Sequence, residues 1–270
     1  MRLTREIELL KIVFRPVNKI PLISWSGSFC AKLVYDILST SGIIIERRAS
    51  KPFTLSPLHV LKNGSWNILW SGICKGEKCS HIVLDPRNKY FFRIVFFDQI
   101  LAMKFINSLM NYSGEMNVIE LNYNSVKVRP RLKKLSTDRV KALVKIVYET
   151  PTHYMFRSWD ILYPSHKRLL YSLGRTLYRL TRLSLRMLIE RIITRGMELL
   201  EDKTKVLKIK IGENKYAYGF VGEALYGIYL KEYEYRLLKQ LLWLGEIVGV
   251  GRNRSLGFGV IKTEVKEIHQ

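Results

Sequence analysis

A glycine-rich run close to the C-terminus contains the residues best suited to hold an anion. Residues 249–259 have the sequence GVGRNRSLGFG, with four glycines around a basic centre. Closely spaced glycines let a backbone approach a ligand and turn several N–H groups toward an anion. Two arginines and a serine add guanidinium and hydroxyl donors that suit phosphate. The run therefore predicts a phosphate-binding loop, with candidate ligands Gly251, Arg252, Arg254, Ser255 and Gly257.

Three other interpretations of residues 249–259 compete with this one. A dinucleotide fingerprint is excluded because Arg254 replaces the third glycine and a strand, not a helix, is predicted to follow. An NTP-binding P-loop is excluded because the run has no Gly-Lys-Ser/Thr triplet. A plain tight turn remains as the alternative, but the paired arginines favour an RNA-phosphate loop.

Basic residues also recur at helical spacing upstream of this loop. Arg175, Arg179, Arg182 and Arg186 follow one another at intervals of 4, 3 and 4 residues, which places them on one helical face. A charge stripe is usually only a solvated face. Because no glutamate is interleaved here, the mutual repulsion is unrelieved unless an anion lies along the stripe.

Other side chains could extend a nucleic-acid surface. Four tyrosines could stack on unpaired bases, although buried or rim positions would explain them equally well. These candidates are Arg47, Arg48, Arg129, Arg131, Lys133 and Lys134 for phosphates, and Tyr226, Tyr229, Tyr233 and Tyr235 for bases.

The overall charge points in the same direction. The 270 residues include 45 Lys and Arg against 23 Asp and Glu, for a formal net charge of +22. Such a surplus opposes compactness and is best explained by a polyanionic partner, although a heat-adapted basic protein is an alternative. No apolar run approaches the ~20 residues of a membrane span, and the N-terminus lacks a signal-peptide core. We expect a cytoplasmic protein that binds nucleic acid and no membrane.

Cysteines and histidines offer little metal chemistry. Cys74, Cys79 and His81 form a C-x4-C-x-H cluster, but no fourth zinc ligand is evident. The intervening residues 75–78 are typical of a hairpin turn that would bring the two cysteines together across strands, where a disulfide could form. We expect no metal and no cofactor.

Two halves of the chain have the same order of elements. For the first half we predict a strand over 7–14, a helix over 24–39, extended segments, a helix over 98–110 and a strand over 118–128. For the second half we predict a strand over 140–148, a helical stretch over 164–200, strands over 204–211 and 215–230, a helix over 231–245 and a strand over 257–266. This is an α+β protein with two tandem ferredoxin-like βαββαβ domains. The predicted boundaries are 1–128 and 137–270, joined by a basic linker over 129–136.

Several motifs resemble one family in both order and spacing. Residues 249–259 resemble the C-terminal glycine-rich motif of the CRISPR-associated RAMP superfamily, specifically its repeat-RNA-processing endoribonucleases of archaeal type. Thr150-Pro151-Thr152 resembles the family's Ser/Thr-Pro-Thr segment, and residues 51–56, KPFTLS, resemble its second-strand motif. Residues 218–223, YGFVGE, and 241–248 resemble the strand and helix that precede the glycine loop.

The resemblance implies a fold and a reaction. It implies two ferredoxin-like domains, which the periodicity predicts independently. It also implies metal-independent cleavage of repeat RNA, in which a 2′-hydroxyl attacks the adjacent phosphate and leaves a 2′,3′-cyclic phosphate. Many members use a histidine as the base, but the predicted first helix has none and the other usual position falls near Ile45.

The missing histidine shifts the expected catalytic work to other residues. Lys32 and Tyr35 are three residues apart on the first helix, and Lys51 occupies the motif lysine position. We predict that the two lysines neutralise the scissile phosphate and that Tyr35 positions the 2′-hydroxyl or the leaving oxygen. The structural alternative is a core tyrosine beside solvated lysines. His153 and His166 are weaker candidates for a relocated base.

Three functions are compatible with these features. The first is a metal-independent endoribonuclease for CRISPR precursor transcripts, and the second is a non-catalytic relative that binds repeat RNA. The third is a RAMP subunit that coats guide RNA beside other subunits of an effector complex. Residues 51–56 together with the glycine loop favour processing, by a monomer or a homodimer.

Overall fold

The computed structural model describes residues 5–46, 51–129 and 138–268. It confirms the predicted α+β class with two ferredoxin-like folds. The first half contains ten strands and two helices within its described residues. Their bounds are β1 (Arg5–Pro16), β2 (Ile20–Leu22), α1 (Ser26–Thr40), β3 (Phe53–Leu55), β4 (His59–Lys62), β5 (Ser65–Ile68), β6 (Ile73–Lys75), β7 (Lys78–Cys79), β8 (Ile82–Leu84), β9 (Tyr90–Phe96), α2 (Gln99–Met110) and β10 (Met116–Val128).

The sheet of the first half is antiparallel, in the order β10-β1-β9-β4-β5, with β3 also paired to β9. Alternate residues of β1, namely Leu10, Ile12 and Phe14, are fully buried against the two helices. Helix α1 forms because its apolar residues recur at helical spacing, and Leu33 and Ile37 enter the same core.

The second half repeats this arrangement with additions. The hairpin of β12 and β13, inserted before the first helix of this half, was not predicted. The bounds are β11 (Arg139–Thr152), β12 (Tyr154–Phe156), β13 (Trp159–Ile161), α3 (His166–Thr181), α4 (Arg186–Arg195), β14 (Met197–Gly212), β15 (Lys215–Lys231), α5 (Glu232–Val248) and β16 (Ile261–Glu267).

The sheet of the second half has one covered face and one open face. Its order is β16-β11-β15-β14, and the inward residues Ala142, Val144 and Ile228 join the core formed with α3, α4 and α5. Ile7 and Val95 of the first sheet belong to this same core, so the two halves pack directly against each other.

The helical stretch predicted over 164–200 was wrong in two places. Helix α3 ends at Thr181, because Arg182 adopts a left-handed conformation with φ of 58°, and α4 begins at Arg186. The last part of the stretch is already extended, since β14 begins at Met197. The strand predicted over 257–266 begins only at Ile261, because the preceding residues belong to the glycine loop.

A hairpin from the first half completes the sheet of the second. Strand β6 pairs with the edge of β14, where Cys74 lies opposite Lys208, and β7 pairs with β6. Cys74 and Cys79 face each other across this hairpin and form a disulfide. The pair therefore forms the cross-strand bond rather than the zinc site considered above.

The described residues contain neither a metal-binding cluster nor a helix that could span a membrane. No group of three or more His, Cys, Asp or Glu side chains in the described ranges could hold a metal ion. None of the helices in the part of the chain that the structure describes is long and apolar enough to span a bilayer.

Candidate nucleic-acid interface

A concave site of about 450 Å³ lies where three elements of the second half converge, and we call it the arginine cleft. Helix α3 forms one wall, the β12–β13 hairpin a second, and the glycine loop of residues 249–259 the third. Six arginines line the cleft, together with five uncharged residues. The arginines are Arg157, Arg168, Arg175, Arg179, Arg252 and Arg254.

Helix α3 presents its arginines because its opposite side is buried. Leu169, Leu173 and Leu177 lie in the core, which directs Arg175 and Arg179 outward. Ser165 caps the helix by accepting a hydrogen bond from the Arg168 backbone N–H at 3.4 Å. The helix therefore carries a strongly amphipathic, basic face into the cleft.

The glycines allow the loop to pack tightly on its surroundings. A side chain at Gly251 would collide with the backbone carbonyl of His153, the same carbonyl that accepts a hydrogen bond from the Arg252 N–H at 3.0 Å. A side chain at Gly257 would collide with the backbone of Pro57 in the first half. Gly251 lines the cleft, whereas Gly257 lies at the contact between the halves.

Arg254 is the most enclosed arginine of the cleft. Its Nη1 atom donates hydrogen bonds to Thr176 Oγ1 at 3.1 Å and to the Gly249 carbonyl at 3.3 Å. Burial, together with the positive charges of Arg179 and Arg175, lowers the pKa of the Arg254 guanidinium to about 10. The side chain is thus held in place without a counter-charge.

The cleft as a whole lacks acidic partners. Within the described ranges, none of its six arginines forms an ion pair with a carboxylate. Clustered cations that lack counter-ions raise the local positive potential and attract an anionic ligand. A chain of phosphates fits this site because it can neutralise several arginines at once.

The predicted four-arginine face is divided by the break after α3. Arg175 and Arg179 line the arginine cleft, but Arg182 ends α3 and is exposed. Arg186 lines an adjoining groove of about 500 Å³ between α3 and α4, which shares Arg168 and Arg175 with the arginine cleft. The prediction of one arginine face assumed one continuous helix over these four residues. The left-handed conformation of Arg182 ends the helix, so the four residues do not share one face.

The predicted catalytic residues lie in the first half. Lys51 Nζ lies 5.5 Å from the centre of the Tyr35 ring and donates a hydrogen bond to the Glu46 carbonyl at 2.6 Å. The Tyr35 ring also packs on Phe53, and burial raises the pKa of its hydroxyl. Lys32 Nζ lies 3.7 Å from a Glu115 carboxylate oxygen. The structure therefore brings Lys51 and Tyr35 together, while Lys32 is paired with a carboxylate.

The glycine loop connects α1 with the arginine cleft. The Trp25 indole N–H donates a hydrogen bond to the Leu256 carbonyl at 2.7 Å. Gly27 lies against the same carbonyl so closely that a side chain there would collide with it. Helix α1 thus begins at the loop, and Lys32 and Tyr35 follow within about three turns.

The remaining predicted residues are distributed around these sites. Ser255 lies in a short 3-10 turn of the glycine loop, and Arg129 is exposed after β10. Tyr226 and Tyr235 are buried and bonded to Tyr148 and Glu267, so they cannot stack on RNA. Arg47, Arg48, Arg131, Lys133 and Lys134 lie outside the described residues.

Two arginines of the cleft were missed by the sequence analysis. Arg168 lies seven residues before Arg175, which is two helical turns, so the stripe could have been extended backward. Arg157 belongs to the β12–β13 hairpin, which had no clear strand pattern in the sequence.

His153, a weaker candidate for the relocated base, is buried. Its Nε2 atom lies 3.8 Å from a carboxylate oxygen of Asp160, and burial lowers the pKa of its imidazole.

The two ferredoxin-like folds of this chain are similar to several solved structures. A Cas6 product complex has the same fold, with a TM-score of 0.65 at 16% identity over 96% of this chain and 99% of that chain. Thermus thermophilus Cas6 gives 0.63 at 14% identity over 97% and 99%. A RAMP protein binding different RNA substrates gives 0.55 at 14% identity over 97% and 100%. At these identities the similarity establishes the fold.

Part of the second half also matches a protein-family model. Residues 146–261 match the model of the CRISPR-associated endoribonuclease Cas6 family. A comparison with curated proteins finds no significant match. The resemblance to the repeat-RNA-processing RAMP endoribonucleases is therefore confirmed, and the matched region contains both α3 and the glycine loop.

Proposed function

We propose that this protein binds CRISPR repeat RNA in the arginine cleft and cleaves precursor transcripts as an endoribonuclease. The observation that carries the proposal is the cluster of six arginines without carboxylate partners in the described part of the chain. The Cas6 family match over residues 146–261 supports RNA as the anion. Solved proteins of the same fold include a Cas6 product complex and a RAMP protein binding RNA substrates.

The proposed reaction uses the ribose 2′-hydroxyl as the nucleophile and no metal ion. Its oxygen attacks the adjacent phosphorus and loses a proton, while the bond to the 5′-oxygen breaks and that oxygen gains a proton. The products carry a 2′,3′-cyclic phosphate and a 5′-hydroxyl. The protein must align the nucleophile and stabilise charge on the phosphate.

Lys51 and Tyr35 provide the best-arranged groups for these tasks. An ammonium has three N–H donors, and Lys51 uses one of them on the Glu46 carbonyl, which leaves two for phosphate oxygens. Because burial raises the pKa of Tyr35, its phenol stays protonated at neutral pH and acts as a hydrogen-bond donor rather than a base. Lys32 would join them after exchanging Glu115 for the phosphate.

Binding without cleavage is the second candidate function. It is favoured by one specific observation, which is that Lys32 and Lys51 already have partners in Glu115 and the Glu46 carbonyl. Such a protein would retain repeat RNA through the arginine cleft alone. A RAMP subunit that coats guide RNA would instead bind in proportion to RNA length.

A cleavage assay in EDTA distinguishes these functions. Labelled repeat RNA is incubated with excess protein, and the product ends are identified by their response to phosphatase. We expect a discrete cut with a cyclic phosphate end, and at least a tenfold slower single-turnover rate in Lys51→Ala. Lys104→Ala, which removes an exposed lysine from α2, is the matched control. Tight binding without any cut would support the second candidate instead.

A further inference from the structure

A second concavity of this fold shares no lining residue with the arginine cleft. It encloses about 670 Å³ at one end of the open face of the second sheet. Strands β11, β15 and β14 form its floor, and the junction between α4 and β14 forms its rim. The residues that matter for its chemistry are Lys141, Leu143, Arg195, Leu200, Gly227 and Tyr229.

Strand alternation places these side chains on the open face. Ile228 and Leu230 of β15 are buried in the core, so the intervening Tyr229 points away from it and is 51% exposed. Lys141 lies directly opposite Tyr229 on β11. The Leu200 side chain lies over Gly227, where a Cβ would meet it at 3.1 Å, and both residues line the concavity.

Tyr229 is the aromatic centre of a cationic surface. The Arg139 guanidinium carbon lies 4.8 Å from the centre of its ring. Within the residues that the structure describes, Arg139, Lys141 and Arg195 form no ion pair, and Glu198 is the one acidic residue lining the concavity. An exposed ring surrounded by unpaired cations is complementary to a nucleotide, which presents a flat base and a phosphate together.

We propose that this concavity binds unpaired nucleotides of the RNA that occupies the arginine cleft, and the proposal rests on the function proposed above. One base stacks on the exposed part of the Tyr229 ring, beside Leu200. The adjoining phosphates contact Lys141 and Arg195, and Arg139 stacks on or beside the base. In RRM-type ferredoxin folds, single-stranded RNA is bound by aromatic side chains on the sheet, and β11 and β15 are the two central strands here.

The concavity is separate from the arginine cleft. Helices α3 and α5 cover the inner face of the sheet, and the arginines of the cleft belong to that helical side. The concavity lies on the outer face. An RNA that reaches both sites must pass around the edge of the second half, so only a strand extending beyond the cleft gains from the outer site.

Binding measurements on a tyrosine variant test the proposal. We expect Tyr229→Ala to weaken binding of repeat-length RNA by about 5- to 150-fold, the effect of losing one stacked base. Tyr229→Phe keeps the ring and should bind like the wild type. Tyr216→Ala is a matched control, because Tyr216 is 46% exposed on the same strand and also has a cation, Lys208, 4.7 Å from its ring.

The result that overturns the proposal is wild-type affinity of Tyr229→Ala for the repeat-length RNA. A second variant, Lys141→Glu with Arg195→Glu, reverses two exposed charges and should lower affinity in the same assay. Arg175→Ala with Arg252→Ala examines the cleft separately. If the cleft variant loses binding while Tyr229→Ala binds fully, only the inference about the outer site is wrong. If the cleft variant binds fully, the proposed function itself is wrong.

Discussion

The guanidinium of Arg254 donates a hydrogen bond to the hydroxyl of Thr176 at 3.1 Å, which joins the glycine loop to helix α3. This bond holds a half-buried cation close to Arg175 and Arg179, although all three carry the same charge. The geometry thus maintains a local repulsion that an RNA phosphate would relieve. Loss of this charge should therefore leave the stability of the free protein unchanged or raise it, and should weaken RNA binding.

Arg254→Gln is expected to separate stability from binding. The free protein should unfold at an unchanged or higher temperature, because an enclosed cation without a counter-charge is removed while a polar side chain remains. RNA affinity should fall about tenfold to a hundredfold through loss of a charge-assisted phosphate contact. Thermal unfolding without RNA and fluorescence anisotropy with RNA measure the two effects.

A matched control for Arg254→Gln is available on helix α5. Arg236→Gln removes an exposed arginine that is paired with Glu232 at 2.6 Å, outside the cleft. Its RNA affinity should stay within about twofold of the wild type. If both variants bind equally well, or if Arg254→Gln unfolds far below the wild type, the proposed role of Arg254 is wrong.

Gly257→Ala is expected to loosen the contact between the two halves. Gly257 has a φ of +74°, and a side chain there would collide with the backbone of Pro57. Strain and overpacking together should lower the free energy of unfolding by about 2–4 kcal/mol. Gly64→Ala is the control, since Gly64 has a φ of +75° but open space around it, and should cost about 1 kcal/mol. Equal losses in urea denaturation would contradict the packing role.

The sequence was sufficient to predict elements whose pattern is local. Strand β1 and helix α1 lie where the apolar spacing placed them, because period-2 and period-3.6 patterns determine which face is buried. Arg175, Arg179, Arg252 and Arg254 were also named from spacing and residue type, and the structure places all four in the cleft. The motif lysine at 51 does lie beside Tyr35.

Features that depend on distant contacts could not be predicted. Nothing near Cys74 indicates that its strand pairs with Lys208 in the other half. The end of α3 depends on the left-handed conformation of Arg182, which no glycine or proline marks. The role of Gly257 depends on Pro57, about two hundred residues away in sequence, and no local propensity encodes that approach.

Removal of the disulfide is expected to destabilise the shared edge of the second sheet. Cys74 and Cys79 are five residues apart, and closing so short a loop stabilises the fold by about 2 kcal/mol. Cys74→Ser with Cys79→Ser should therefore lower the unfolding temperature, and should abolish the effect of reductant that we expect in the wild type. Cys30→Ala is the control for reductant, because Cys30 is a buried free thiol. If reductant left the unfolding temperature of the wild type unchanged, the proposed stabilisation by the disulfide would be wrong.

The stability of the fold should fall in mild acid because of His59. Its ring stacks on Phe91 at 4.3 Å, and burial, with Arg93 and Lys262 nearby, lowers its pKa to about 4 from 6.5. The unfolded chain therefore takes up a proton below about pH 6.5 that the folded chain refuses until about pH 4, so stability is lost as the pH falls through this window. The loss attributable to His59 is about 3 kcal/mol at most.

His59→Phe keeps an aromatic ring against Phe91 but cannot titrate, so its free energy of unfolding should depend less on pH over this range. Denaturant unfolding of both proteins at a series of pH values measures the difference, and superimposable pH profiles would show that His59 is not the group responsible.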